Sequence, residues 1–224
     1  MSLAFARPFA TLGYGGLLAS LVVMLLLAPM VEPQGAFRFA TSLAFAALLV
    51  FSVWTVSHDT RATVIASTLA TFVFIGSTLI DWVDAGAALG IATLGVACFF
   101  FAYVSSIVLR DVFTSRSVTA NTIVGAICAY ILLGMLWGYL SSLVEAIQPG
   151  SFSTDVQDTG LIGRFVYFSM VTLTTLGYGD ITPVSAAARG LAVVEATLGQ
   201  VYLTVLVARL VGIHLTQNRR QEHE

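Results

Sequence analysis

The chain has 224 residues, 58% of them hydrophobic and only 10% charged, with a mean hydropathy of +0.92 and a net charge of −2. A water-soluble fold of this length could not hide so much apolar side chain, so a lipid bilayer is the expected solvent. All ten basic residues are arginine and the balance is near neutral, which gives no pull on nucleic acid, and no nucleophile elbow, phosphate loop or paired zinc ligands marks an enzyme.

In chain order, the apolar runs predict six membrane spans, each near the ~20 residues that a bilayer core requires. The first covers about 9–30 and follows Arg7. It resembles a signal peptide superficially but is too long for a cleaved one, so it reads as a retained span. The second covers about 37–57, the third about 62–80, the fourth about 86–109, the fifth about 118–143 and the sixth about 185–213. Between the last two lies a polar loop, 145–160, and then a segment, 161–174, that is too short to span. It reads as a re-entrant helix, because irregular backbone at membrane depth survives only where protein buries it or it lines an aqueous path. Cys98 and Cys128 sit in apolar segments of different helices and read as packing residues. His58, His214 and His223 show no metal-ligand spacing, and no cofactor is expected.

Arginine placement sets the expected orientation. With both termini inside, the inner segments hold Arg7, Arg61, Arg110, Arg116, Arg209, Arg219 and Arg220, and the outer ones only Arg38, Arg164 and Arg189. Seven acids (Glu32, Asp81, Asp84, Glu145, Asp155, Asp158 and Asp180) then fall outside, most of them as ordinary solvated loop residues.

The most informative residues follow the re-entrant segment: Thr175-Leu176-Gly177-Tyr178-Gly179-Asp180, preceded by Thr172 and Thr174. A potassium selectivity filter needs successive backbone carbonyls facing one axis, in place of the ion's water shell. Carbonyls that all point one way require alternating right- and left-handed backbone, and left-handed φ is cheap only for glycine. Gly177 and Gly179 fall at alternate positions. Thr175 adds a hydroxyl at the inner end, and Tyr178 is placed to brace the loop. On these residues the chain resembles the tetrameric potassium channel family, most strongly over about 161–213.

That resemblance implies an all-α membrane protein with six transmembrane helices per subunit and a re-entrant pore helix and filter loop between helices five and six. One filter strand cannot surround an ion, so it further implies a homotetramer. The implied K⁺ sites are the carbonyls of Thr175, Leu176, Gly177 and Tyr178. Gly179, Asp180, Tyr167 and Thr174 would support the filter. In many relatives the aspartate bonds a tryptophan thirteen residues upstream, where this chain has Tyr167, and some carry a glutamate at the position of Val171. Gly199 matches the place of a hinge glycine in the inner helix; close helix packing is the other reading. Gln200, Thr204, Val207 and Val211 follow helical spacing and would line the cavity below the filter. Glu195, an acid within an apolar helix, is costly there and so expected to be functional. It would sit behind the pore helix and partly replace the acid missing at Val171. Arg209 is expected to snorkel to lipid headgroups.

The layout resembles voltage-gated potassium channels, yet the fourth span carries no basic residue until Arg110. Each gating charge contributes about 2.3 kcal/mol per 100 mV, so steep voltage dependence is not expected. The expected organisation is a four-helix domain over 1–110, a linker over 111–118, a pore domain over 119–213 and a tail over 214–224 too short for a ligand-binding domain. The expected function is passive K⁺-selective flux across a plasma membrane, a bacterial inner membrane, with a membrane protein as a conceivable partner for helices one to four. The competing reading is a non-conducting or weakly selective subunit that keeps the pore fold.

Overall fold

The computed structural model describes residues 13–27, 60–83, 86–115, 117–154 and 160–221. The helices are α1 (Gly13–Leu27), α2 (Thr60–Val83), α3 (Ala87–Thr114), α4 (Ala120–Ile147), α5 (Leu161–Leu173) and α6 (Ala186–Gln221), with two short strands, β1 (Phe152–Thr154) and β2 (Ile181–Pro183). Among the described residues, α3, α4 and the Ala186–Ile213 part of α6 are long and apolar enough to cross a membrane. α1 and α2 coincide with the first and third expected spans, and the second, about 37–57, lies outside the described residues. The protein is membrane-embedded and multi-pass.

The structure differs from the expected layout in helix ends and in one strand pair. α3 runs past Arg110-Asp111 to Thr114, so the first residues of the expected linker are helical. α6 continues to Gln221, through residues read as a polar tail. Bilayer-length reasoning marks where lipid ends, and with no glycine or proline between 214 and 221 nothing stops the helix there. β1 and β2 were not foreseen. They pair antiparallel, Ser153 opposite Thr182, and join the segment before the pore helix to the segment after the filter.

α4 is the central element. Thr119 caps its start by accepting from the Thr122 amide. Its small residues let neighbours approach: a Cβ at Gly138 would lie 2.8 Å from Val166 Cα on α5, so the two backbones nearly touch there. Met170 and Leu173 of α5 lie over Gly134, one turn earlier. α1 and α3 pack against the remaining faces of α4, and α2 packs on α3. The front helices therefore lie on the pore half of their own chain. Cys98 and Cys128 are free and buried in this core. A second, smaller core gathers Phe152, Phe165, Phe168, Ile181 and Ala188 beneath the strands. There Phe152 meets Phe165 edge-on at 4.7 Å and Phe168 at 5.3 Å.

Candidate ion-conduction site

The site is built on α5. This helix buries Phe165, Val166, Phe168, Ser169, Val171 and Leu173 and ends at Leu173, with Thr174 as its C-cap. The chain then reverses into the filter segment. Thr175 has φ +59°, Gly177 +57° and Gly179 +80°. Left-handed backbone at every second residue is the alternation that turns successive carbonyls the same way.

The amides of this segment turn back onto the pore helix. Thr175 N donates to Thr172 O at 3.0 Å, and Leu176 N and Gly177 N donate to Val171 O at 2.9 and 3.2 Å. Among the described residues no group donates to the carbonyls of Thr175, Leu176, Gly177 or Tyr178. Residues 174–179 are exposed in the single chain, Leu176 at 55% and Tyr178 at 66%. The carbonyl C-terminus of α5 opens directly into this loop and favours positive charge at its inner end.

Thr175, already read from the sequence as a site residue, carries a backbone conformation that residue identity did not signal. Among the described residues it is the one non-glycine with positive φ. A β-branched side chain in that region is strained, at a cost of order 1–3 kcal/mol. Strain of this size survives only where neighbours over-determine it, as the paired amides of 175–177 do.

Tyr167 donates its phenol O–H to Asp180 at 2.7 Å, and Ile181 N donates to the other carboxylate oxygen at 3.1 Å. Asp180 thus ties the pore helix to β2 across the outer side of the filter loop. The Thr174 hydroxyl bonds back to Met170 O at 2.7 Å, closing the helix end rather than touching the filter. Val171 contributes its carbonyl, not a side-chain acid.

α6 presents one stripe to its own chain: Glu195, Gly199, Tyr202 and Leu206, all buried. Glu195 is fully buried behind α5, where Ser169 Oγ lies within hydrogen-bond distance of its Oε1 and 2.6 Å from Gly134 O. Three helices, α4, α5 and α6, therefore meet at one serine hydroxyl. Gly199 sits under the last carbonyl of the pore helix, where an added Cβ would lie 2.8 Å from Leu173 O. This contact supplies a reason for glycine that is independent of bending, and α6 runs through the position unbroken. Gln200, Thr204, Val207 and Val211 lie off this stripe and are exposed in the single chain.

Gly199→Ala is expected to lower the melting temperature of the solubilised protein and to reduce flux, because backbone rather than a flexible side chain blocks the methyl. Gly190→Ala, with nothing within 4 Å, is expected to be neutral or stabilising by about 1 kcal/mol. Thermal melts of the two variants check this; equal melts would favour bending over packing as the reason for Gly199.

Arg209 corrects the snorkelling expectation. Its guanidinium turns inward and donates to Val112 O and to Ser115 O at the end of α3. The last carbonyls of α3 have no partner within their own helix, and a cation beside them complements the negative end of the helix dipole. Glu145, read as a solvated acid, accepts from Gly150 N at 2.9 Å and Phe152 N at 3.1 Å, and so shapes the turn before β1.

Residues 125–215 match a family model described as "Ion channel". The chain is 32% identical over 95 residues (42% of its length) to two pore potassium channel c of Oryza sativa subsp. japonica, covering 19% of that protein. It is 41% identical over 55 residues (25% of its length) to two-pore potassium channel 4 of Arabidopsis thaliana, again 19% of that protein. It is 32% identical over 84 residues (36% of its length) to protein LctB of Bacillus caldotenax, covering 62% of it. The matches thus span 19% to 62% of the relatives' own lengths. Together the family model and the relatives support the pore-loop potassium channel family.

Proposed function

From this family likeness we propose that four copies of the chain surround one axis and form a passive, K⁺-selective channel. The observation that carries the reading is the left-handed backbone at residues 175, 177 and 179, in an exposed segment whose carbonyls take no donor among the described residues. Four such strands would supply the stacked carbonyl rings that replace a dehydrated ion's water. The Thr175 hydroxyl would add the innermost ligand, and Gly179 and the Tyr167–Asp180 bond would hold the outer end.

The homotetramer is supported by α6, whose apolar surface is largely uncovered in the single chain, with Val193 at 66% and Val207 at 58% exposure. Surface of that kind on the helix beside the filter fits contact with other copies and, over Gln200, Thr204, Val207 and Val211, a shared cavity. Glu195 would support the filter from behind through Ser169. Voltage would act weakly, since α3 has no basic residue within its apolar length before Arg110. The arginine distribution favours both termini on the inner side.

The test is ion flux from liposomes carrying purified protein, under K⁺ and then Na⁺ gradients, with Ba²⁺ as blocker. Ba²⁺-sensitive K⁺ flux without Na⁺ flux is the expected outcome. Equal K⁺ and Na⁺ flux would overturn selectivity, and absence of any flux across pH, tension and lipid composition would overturn conduction.

A further inference from the structure

The last carbonyl of the pore helix is held by the outer helix. Tyr130 on α4 donates its phenol to Leu173 O at 2.9 Å. Leu173 lies two residues before Thr175, and its carbonyl is one of those that a helix end leaves unpaired. On its other side the same carbonyl rests on Gly199 of α6.

The Tyr130 ring does not stand alone. It stacks on Tyr202 of α6, with ring centroids 5.8 Å apart and 23° between planes. Tyr202 in turn donates to Ala126 O on α4 at 2.7 Å and meets Phe113 of α3 edge-on at 6.3 Å. The Arg209 guanidinium lies 5.3 Å from the Phe113 ring centre while gripping the Val112 and Ser115 carbonyls. A continuous path of ring and hydrogen-bond contacts therefore runs from the end of α3 to the inner end of the filter. None of these partners belongs to the filter or to its outer brace.

We propose that Tyr130 is a filter-positioning residue, and that Tyr202, Phe113 and Arg209 connect it to the end of α3, so that the front helices control the set of the filter's inner ring. The inference rests on the conduction reading above. It gives the front helices a task that needs no gating charge. Small movements of the α3 end would shift Arg209 and the paired rings, and the phenol would carry the shift to Leu173 O.

Contiguity does not by itself establish coupling, whereas a double-mutant cycle does. The experiment compares wild type, Tyr130→Phe, Arg209→Met and the double variant in K⁺-loaded liposomes. It reads the Ba²⁺ concentration for half block and the K⁺/Rb⁺ flux ratio, both of which report the filter rather than the amount of folded protein. Tyr130→Phe keeps the ring stack and removes one hydrogen bond, so a shift in half block of about fivefold is expected. Arg209→Met should shift it in the same direction, and the double variant should go little beyond the larger single effect. If Arg209→Met fails to assemble by size-exclusion chromatography, Phe113→Leu takes its place in the cycle. Wild-type block and flux ratio in Tyr130→Phe would overturn the positioning role. Additive single effects would overturn the link to α3. Absence of Ba²⁺-sensitive K⁺ flux in the wild type would instead overturn the conduction reading, and this inference with it.

Discussion

In the proposed K⁺-selective tetramer, Gly177→Ala is expected to abolish the preference for K⁺ over Na⁺ while leaving the assembly at its wild-type size. Gly177 has φ +57°, and nothing in its own chain lies within 4 Å of an added Cβ. The effect is therefore one of backbone conformation rather than of a clash within the subunit. Left-handed φ costs an L residue about 1–2 kcal/mol, and in a tetramer all four strands bear it together, about 4–8 kcal/mol in total. The strands would relax toward right-handed φ, and the carbonyl at this level would leave the axis. Parallel K⁺ and Na⁺ flux measurements on the variant check the result. An unchanged flux ratio would show that these carbonyls do not coordinate the ion. Thr175 already bears such strain, at φ +59°, so the loop has little tolerance for a second non-glycine residue.

The second large effect is expected at Glu195. Glu195→Gln should leave K⁺ currents largely intact, whereas Glu195→Val should change the rate or extent of inactivation. The reason is a hydrogen count at Ser169. Its hydroxyl lies within bonding distance of both Gly134 O and Glu195 Oε1 and has one proton to give. A protonated carboxyl, or the amide of glutamine, supplies the second proton; valine supplies none. Leaving a buried polar group without its partner costs about 1–3 kcal/mol, here at the junction of α4, α5 and α6. Charge is also hard to hold there, since Glu195 is fully buried in an apolar helix bundle. Single-channel or macroscopic currents from reconstituted protein distinguish the variants. Identical time courses for wild type and Glu195→Val would remove Glu195 from the filter's support.

Much of the site is local in sequence and was legible there. Glycine at 177 and 179 is a backbone requirement written directly in residue identity. Apolar run lengths marked α3, α4 and the apolar part of α6, because a bilayer imposes one thickness on each crossing. The short 161–174 segment corresponds to α5, Leu161–Leu173. The family resemblance implied Tyr167 as the partner of Asp180, and the two lie in hydrogen-bond contact.

Other features depend on which elements meet, and no local pattern encodes that. Arg209 and the α3 carbonyls are about a hundred residues apart in sequence, as are Tyr14 and Asp111, whose side chains also bond. An arginine near a helix end looks the same whether it reaches lipid or a neighbouring helix terminus. Glu145 reads as a loop acid until two amides of its own turn close on it. The β1–β2 pair is too short for a strand period to show, since three residues give barely one alternation.

By itself, then, the sequence determined the membrane setting, the helix too short to span before residues 175–180 and the alternating glycines, because each follows from chain composition, apolar run length or the φ preference of single residues. Only the tertiary structure decided that Thr175 shares the left-handed backbone, that Gly199 packs beneath Leu173 O, that Ser169 lies between Glu195 and Gly134 O, and that Arg209 clasps α3. Each of these depends on distances between helices, and interhelical distance is set by packing across the whole bundle rather than by any stretch of residues within it.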